Sequence, residues 1–343
     1  MAPASKEKRG HIMHFSQSLN LSTIYQPIAG NLEQVKKRLL DHLRDAFGLI
    51  RGIGFEETIV EGKQIRPALA LLSGLSFQPD RGAELINVAA ASEMTHFASL
   101  IHDDVVDGAK MRRGTESVNA RWHDKVAVLL GDYIISQALH LLSEYRSPDV
   151  IQTIMTAVKS MSEGELHQII ASTDGIVSES DYYSVIQRKT SSLMEAVCKM
   201  PVQVLGGSPE IVKAMGVFGH NFGMAFQVID DLLDFIADEN HLGKPILCDI
   251  KDGKATLPTI CLLSRMGKGD AERIRKILRE RHLDEKDKIW LCQSVRTHGA
   301  DDYCLDIARD FVSRAKQALD VVPDSEYRKS LTELCDYIVA RDK

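Results

Sequence analysis

The chain has 343 residues, 44% hydrophobic and 26% charged, with 42 Lys and Arg against 48 Asp and Glu for a net charge of −6. This is ordinary globular composition with ample material for a core, and it gives no reason to expect a nucleic-acid partner. The six cysteines are far apart with no Cys-x-x-Cys, which excludes a zinc or disulfide framework and fits reduced thiols. The basic N-terminus lacks the apolar core of a signal peptide, and no apolar run is read as membrane-spanning. The expected location is therefore cytoplasmic, with a mitochondrial targeting segment left open.

Residues 1–30 are polar and broken by Pro and Gly, so they read as a flexible arm that leads into the first helix. From Asn31, a candidate N-cap, Leu32, Val35, Leu39, Leu43 and Phe47 share one helical face. After a glycine break, Lys63 and Arg66 stand one turn apart, with Pro67 placed for the first turn of an apolar helix. A solvated cation pair explains them, and so does an anion site at a helix start. Residues 83–107 read as one helix of roughly 37 Å, almost uncharged before its end and so buried. His96 lies within it, where a hydrogen-bonded core histidine is the plainer reading.

Helices follow at 131–145, at 150–171 after a Ser147 cap, and at 181–200, where Pro201 ends the run; residues 172–180 are a loop. Lys189 and Thr190 sit in the third of these. A second long apolar helix is expected at 210–238, with Gly216, Gly219 and Gly223 allowing close helix approach. A Gly- and Pro-rich basic loop from 242 to 258, with Lys244, Asp249 and Lys254, has the make-up of a phosphate-closing lid. The rest is helical, no strand pattern is convincing, and the fold expected is all-α, a single domain over 31–343.

The two long helices end alike. Asp103, Asp104 and Asp107 close the first, and Asp230, Asp231 and Asp234 close the second at the same i, i+1, i+4 spacing. Negative charge at a helix C-terminus opposes the macrodipole, so stability does not account for either cluster. Lys110, Arg112 and Arg113 follow the first cluster, and Gln227 shares a face with Asp230. Paired acidic clusters beside cations suit Mg²⁺ ions that bridge to a diphosphate, with Mn²⁺ an alternative ion. The dry, apolar lining such chemistry needs is expected from Ala98, Ser99, Leu100, Ile101, Phe222 and Phe226. Glycosidase-type acid/base work is disfavoured, because clustered carboxylates repel and do not present one raised-pKa acid.

These residues resemble the trans-isoprenyl diphosphate synthase family, the polyprenyl synthetases, from about Asn31 to the C-terminus. Gly62-Lys-Gln-Ile-Arg-Pro67, Leu100-Ile-His-Asp-Asp-Val-Val-Asp107 with Arg112-Arg-Gly114, Arg188-Lys-Thr190, Gln227-Val-Ile-Asp-Asp-Leu-Leu-Asp234 and Gly243-Lys-Pro245 carry the likeness. The resemblance implies an antiparallel helix bundle around a central cavity, usually dimeric, that adds isopentenyl diphosphate to an allylic diphosphate. It implies that Asp103, Asp107 and Asp230, supported by Asp104, Asp231 and Asp234, hold Mg²⁺ and the allylic diphosphate. Lys63, Arg66, His96 and Arg113 would hold isopentenyl diphosphate. Arg112, Lys189, Lys244 and Lys254 would meet the allylic diphosphate, with Thr190 and Gln227 beside the allylic cation.

Short-chain members place large aromatics four or five residues before the first aspartate. Here Ala98 and Ser99 stand there, so a long-chain product is expected, for quinone side chains, with Ser92, Met94, Tyr133 or Leu139 as tunnel floor. Membrane contact is expected to be at most peripheral, through the lipophilic product. A class I terpene cyclase is the competing enzyme, but its second metal site carries an Asn/Asp, Ser/Thr, Glu triad rather than Asp230-Asp-Leu-Leu-Asp234. A non-catalytic subunit of a heteromeric synthase is the other alternative; such subunits commonly lose residues that are all present here.

Overall fold

The computed structural model describes residues 19–51, 62–112, 114–174, 178–237 and 246–341. Helix begins earlier than the sequence suggests, with α1 (Leu21–Ile24), a 3₁₀ turn (Gln26–Ile28) and α2 (Ala29–Leu49). Asn20, not Asn31, accepts the capping hydrogen bond, and Ile24 and Ile28 are buried in the core. The arm reading is thus corrected for residues 21–30: two isoleucines four apart suffice to dock them. Residues 1–18 lie outside the described set.

Two helices form the axis. α3 (Ile65–Phe77) leads by a 3₁₀ turn into α4 (Ile86–Val106), which is buried on most sides as its uncharged sequence requires. A two-residue hairpin, β1 (Met111–Arg112) and β2 (Thr115–Glu116), is a strand pair too short for any sequence period to reveal. Then come α5 (Val118–Trp122), α6 (Asp124–Ser143) and α7 (Pro148–Asp174). By length and mean hydropathy, 1.5, α6 could cross a membrane, which corrects the expectation that no run qualifies; in this fold it packs along α4.

α8 (Glu179–Ile186) starts at Ser178 through a capping box with Asp181; of the loop expected over 172–180, residues 172–174 end α7, 179–180 open α8, and 175–177 lie outside the described residues. A π-helical turn, Gln187–Ser191, joins it to α9 (Ser192–Val204), where Pro201 sits inside the helix rather than ending it. α10 (Pro209–Ile236), capped by Ser208, is the second axial helix. Its glycines explain how the π turn is held. A Cβ at Gly219 would lie 2.4 Å from the Met194 carbonyl oxygen, and one at Gly223 would lie 2.7 Å from Ser191 Cα. Gly164 on α7 meets the turn from the other side, where a Cβ would stand 2.9 Å from the Lys189 nitrogen. α11 (Cys248–Lys251), α12 (Leu257–Arg265), α13 (Lys268–Glu280), α14 (Glu285–Thr297), α15 (Ala300–Ala318) and α16 (Glu326–Ala340) complete the bundle, with α15 packed along α10.

Candidate functional site

Both acidic clusters stand where the sequence puts them, at the C-terminal ends of α4 and α10, and one member of each, Asp103 and Asp230, lines a cavity of about 830 Å³. Lys63, Arg66, His96, Asp103, Arg112, Glu165, Lys189, Thr190, Gln227 and Asp230 are among its lining residues. Leu100, Ile135, Val158, Met161, Leu193 and Phe226 line it too, so its wall is partly charged and partly apolar. Ser99 also lines it, whereas Asp104, Asp107, Asp231, Asp234, Lys254 and Ala98 are not among its lining residues. Arg113 and Lys244, with residues 238–245 of the expected lid, lie outside the described residues.

In the first cluster each carboxylate has a cation. Arg112 grips buried Asp104 through Nε, 2.8 and 3.0 Å from the two carboxylate oxygens. Lys254 Nζ donates to both oxygens of Asp107 at 3.1 Å, which ties the segment after the second cluster to the first. Burial pulls the Lys254 ammonium down, but Asp107, Asp252 and Asp249 outweigh it and its pKa is raised. Lys189 Nζ lies 3.7 Å from Asp103, donates to Gln168 at 3.1 Å, and pairs closely with Glu165. Burial raises the Asp103 pKa, Lys189 opposes this, and the Glu165 and Asp107 carboxylates add to it.

The second cluster is held differently. Asp231 is 5% exposed and accepts from Tyr182 Oη and Gln227 Nε2, both at 2.7 Å. Burial first, then the Asp249 carboxylate, push it well above the usual carboxylate range. Asp234, also buried, accepts from the Asp249 backbone N–H at 3.1 Å, while its carbonyl receives the Leu247 N–H at 2.8 Å. Asp230 is the open member, its side chain 46% exposed, and meets Arg341 Nη2 at 3.3 Å.

Several participants escaped the sequence reading. Arg341 follows the last helix, yet its side chain is 4% exposed, lies over the Phe226 ring at 4.3 Å and donates to the Phe226 carbonyl at 3.0 Å. Nothing in the sequence links it to a residue 111 positions earlier. Glu165 and Gln168 were missed as members of an ordinary amphipathic face. Tyr182 stands seven residues before Lys189, a two-turn spacing that could have placed it near the site. Of the product-length candidates, Ser99 lines the cavity while Ala98 is fully buried and is not among its lining residues. Ile101 and Phe222 likewise pack in the core, and the cavity is lined by Ile135, Val158, Met161 and Leu193 but not by Ser92, Met94, Tyr133 or Leu139.

The carboxylates suit a hard divalent ion. Asp103 and Asp107 stand one turn apart and Asp230 opens to the same cavity, all oxygen donors with partial solvent access. Among the described residues no three His, Cys, Asp or Glu side chains converge on one point. One or two carboxylates per ion is the supply that Mg²⁺ takes when water and substrate phosphate complete its shell.

Residues 54–295 match the polyprenyl synthetase family. The chain is 33% identical over 328 residues to the octaprenyl diphosphate synthase of Escherichia coli K12, covering 95% of this chain and 100% of that one. It is 35% identical over 285 residues to a short chain isoprenyl diphosphate synthase of Methanothermobacter thermautotrophicus, covering 82% and 87%. A polyprenyl synthase from Caulobacter crescentus, solved with calcium and isoprenyl diphosphate, superposes with a TM-score of 0.87 at 29% identity, over 95% of this chain and 99% of that one.

Proposed function

Since the chain belongs to the polyprenyl synthetase family and is a prenyltransferase, we propose that it is a long-chain trans-polyprenyl diphosphate synthase. Its reaction is the Mg²⁺-dependent head-to-tail condensation of isopentenyl diphosphate with an allylic diphosphate such as farnesyl or geranylgeranyl diphosphate. The observation that carries this reading is the cavity that Asp103 of one aspartate cluster and Asp230 of the other both line, with cations and apolar side chains in the same wall. The allylic C–O bond breaks, its electron pair leaves with diphosphate, the isopentenyl double bond attacks the allylic carbon, and the proton then lost goes to the departing diphosphate. Asp103, Asp107 and Asp230 would hold Mg²⁺, which when bound would neutralise the leaving group's charge.

The chain's own residues do the rest. Lys189, Lys254 and Arg112 bring further positive charge to the leaving diphosphate, and Lys63, Arg66 and His96 receive the isopentenyl diphosphate. Leu100, Leu193 and Phe226 keep water from the allylic cation. The small Ser99 in the wall leaves room for a growing chain, whereas relatedness alone does not decide length, since a short-chain synthase is among the similar proteins. A cytoplasmic homodimer serving quinone side-chain synthesis fits this reading. The exposed Val128 and Leu129 of α6 support a subunit contact. Incubating the protein with labelled isopentenyl diphosphate, farnesyl diphosphate and Mg²⁺ should give linear products beyond four isoprene units. A hydrocarbon, a product of four units or fewer, or no turnover by the pure protein would refute the proposal.

A further inference from the structure

Asp231 stands apart from the other acidic residues. Asp230 lines the main cavity, whereas Asp231 borders a smaller space of about 150 Å³ together with Tyr182, and Thr190 and Gln227 border both. Both of its oxygens are occupied by neutral donors: Tyr182 Oη on Oδ2 and Gln227 Nε2 on Oδ1. The order continues outward, because Thr190 Oγ1 donates to Gln227 Oε1 at 2.7 Å. A chain of three hydrogen bonds thus runs from a buried tyrosine to a hydroxyl on the cavity wall.

The two donors on Asp231 set the direction of the chain. With Tyr182 Oη on one oxygen and Gln227 Nε2 on the other, the Gln227 amide turns its NH₂ toward Asp231 and its carbonyl oxygen toward Thr190. The Thr190 hydroxyl then spends its hydrogen on that oxygen, which leaves oxygen lone pairs facing the cavity. Were the amide reversed, its partly positive NH₂ would take that place. The π turn that carries Thr190 is clamped by Gly164 and Gly223, so Thr190 cannot readily swing to compensate.

We propose that Asp231 and Tyr182 are positioning residues that lock the Gln227 amide, so that oxygen atoms of Gln227 and Thr190 face the allylic carbon as positive charge develops on it, and that Asp231 is not a metal ligand. This rests on the synthase reading above and departs from what the family resemblance implies for Asp231. Preorganised dipoles aimed at developing charge act on kcat rather than on substrate binding.

The test compares Asp231→Asn, Tyr182→Phe and Asp230→Asn in the full-length protein, with wild-type turnover established first, so that failure of the synthase reading shows before any variant is made. Asp231→Asn gives the amide a donor on the wrong side and should lower kcat about a hundredfold, and Tyr182→Phe about tenfold, both with KM within about twofold of wild type. Mn²⁺ binding to the resting protein with inorganic diphosphate, read by electron paramagnetic resonance, should be weakened by Asp230→Asn and unchanged in the other two. Thermal melting identifies a variant that fails to fold, and Gln227→Leu then serves as the second probe, with kcat lowered and Mn²⁺ binding kept. The proposal is overturned if Asp231→Asn weakens Mn²⁺ as much as Asp230→Asn does. It is equally overturned if the folded variants retain wild-type kcat or lose rate only through KM.

Discussion

The two aspartate clusters share one spacing and differ in what surrounds them. At the end of α4 the partners are cations: Arg112 for Asp104, Lys254 for Asp107 and Lys189 for Asp103. At the end of α10, among the described residues, the exposed Asp230 meets a cation, Arg341, while Asp231 accepts from two neutral side chains and Asp234 from a backbone N–H. In both clusters the middle aspartate is buried and taken, and the first is left accessible. The same motif therefore supplies two kinds of group: carboxylates open to an ion, and carboxylates that brace the structure around it. Identical spacing makes the residues neighbours, but the elements packed against each helix end decide their roles.

The strongest way to break this comparison is to neutralise the open members. Asp103→Asn and Asp230→Asn should each lower kcat/KM by about a thousandfold, because each removes charge from the site that meets the leaving diphosphate; steady-state kinetics would show it. Asp104→Asn should instead act on the fold, since it leaves Arg112 without its carboxylate. A loss of about 1–2 kcal/mol is expected in denaturant unfolding, kept small because Arg112 is partly exposed. Equal activity losses at Asp103 and Asp104 would dissolve the distinction.

A second contrast lies one turn or so below the first cluster. Ser99→Phe projects into the cavity and should shorten the product, read by chromatography of the dephosphorylated prenols, with stability little changed. Ala98→Phe meets packed core and should destabilise the protein by about 1–3 kcal/mol. The smallest effect concerns the support behind Thr190. His220 shares a hydrogen bond of 2.9 Å with Ser191, and burial lowers its pKa from the ordinary 6.5, with Glu195 opposing. A depressed folded-state pKa means the unfolded chain binds the extra proton first. Stability from this group is therefore full above pH 6.5 and is lost as pH falls through the folded value. His220→Asn should flatten that acid-side decline in melting temperature, and an unchanged slope would remove His220 as its source.

Much of this arrangement was legible in the sequence because helix periodicity is local. The burial of α4, the placement of both clusters at helix ends and the sharing of one face by Gln227 and Asp230 all follow from 3.6-residue spacing. What periodicity cannot give is which helix lies opposite. Ala98 and Ser99 are adjacent and both small, yet only the packing of α6 and α7 decides that Ser99 borders the cavity. Arg341 follows the last helix and is brought to Asp230 by the docking of α16, a contact with no local signature. The early start at Leu21 was hidden by polar composition, since two buried isoleucines are too few to raise a periodic signal.

The central claim, that the two clusters act as one ion and diphosphate site, is tested most directly by a crystal structure with Mg²⁺ and an unreactive thio analogue of the allylic diphosphate. The account predicts ions bridging the diphosphate to Asp103 and Asp107 on one side and to Asp230 on the other, with Arg341 moved off Asp230 and Asp231 still held by Tyr182 and Gln227. Ions confined to one cluster, or a diphosphate bound away from both, would contradict it.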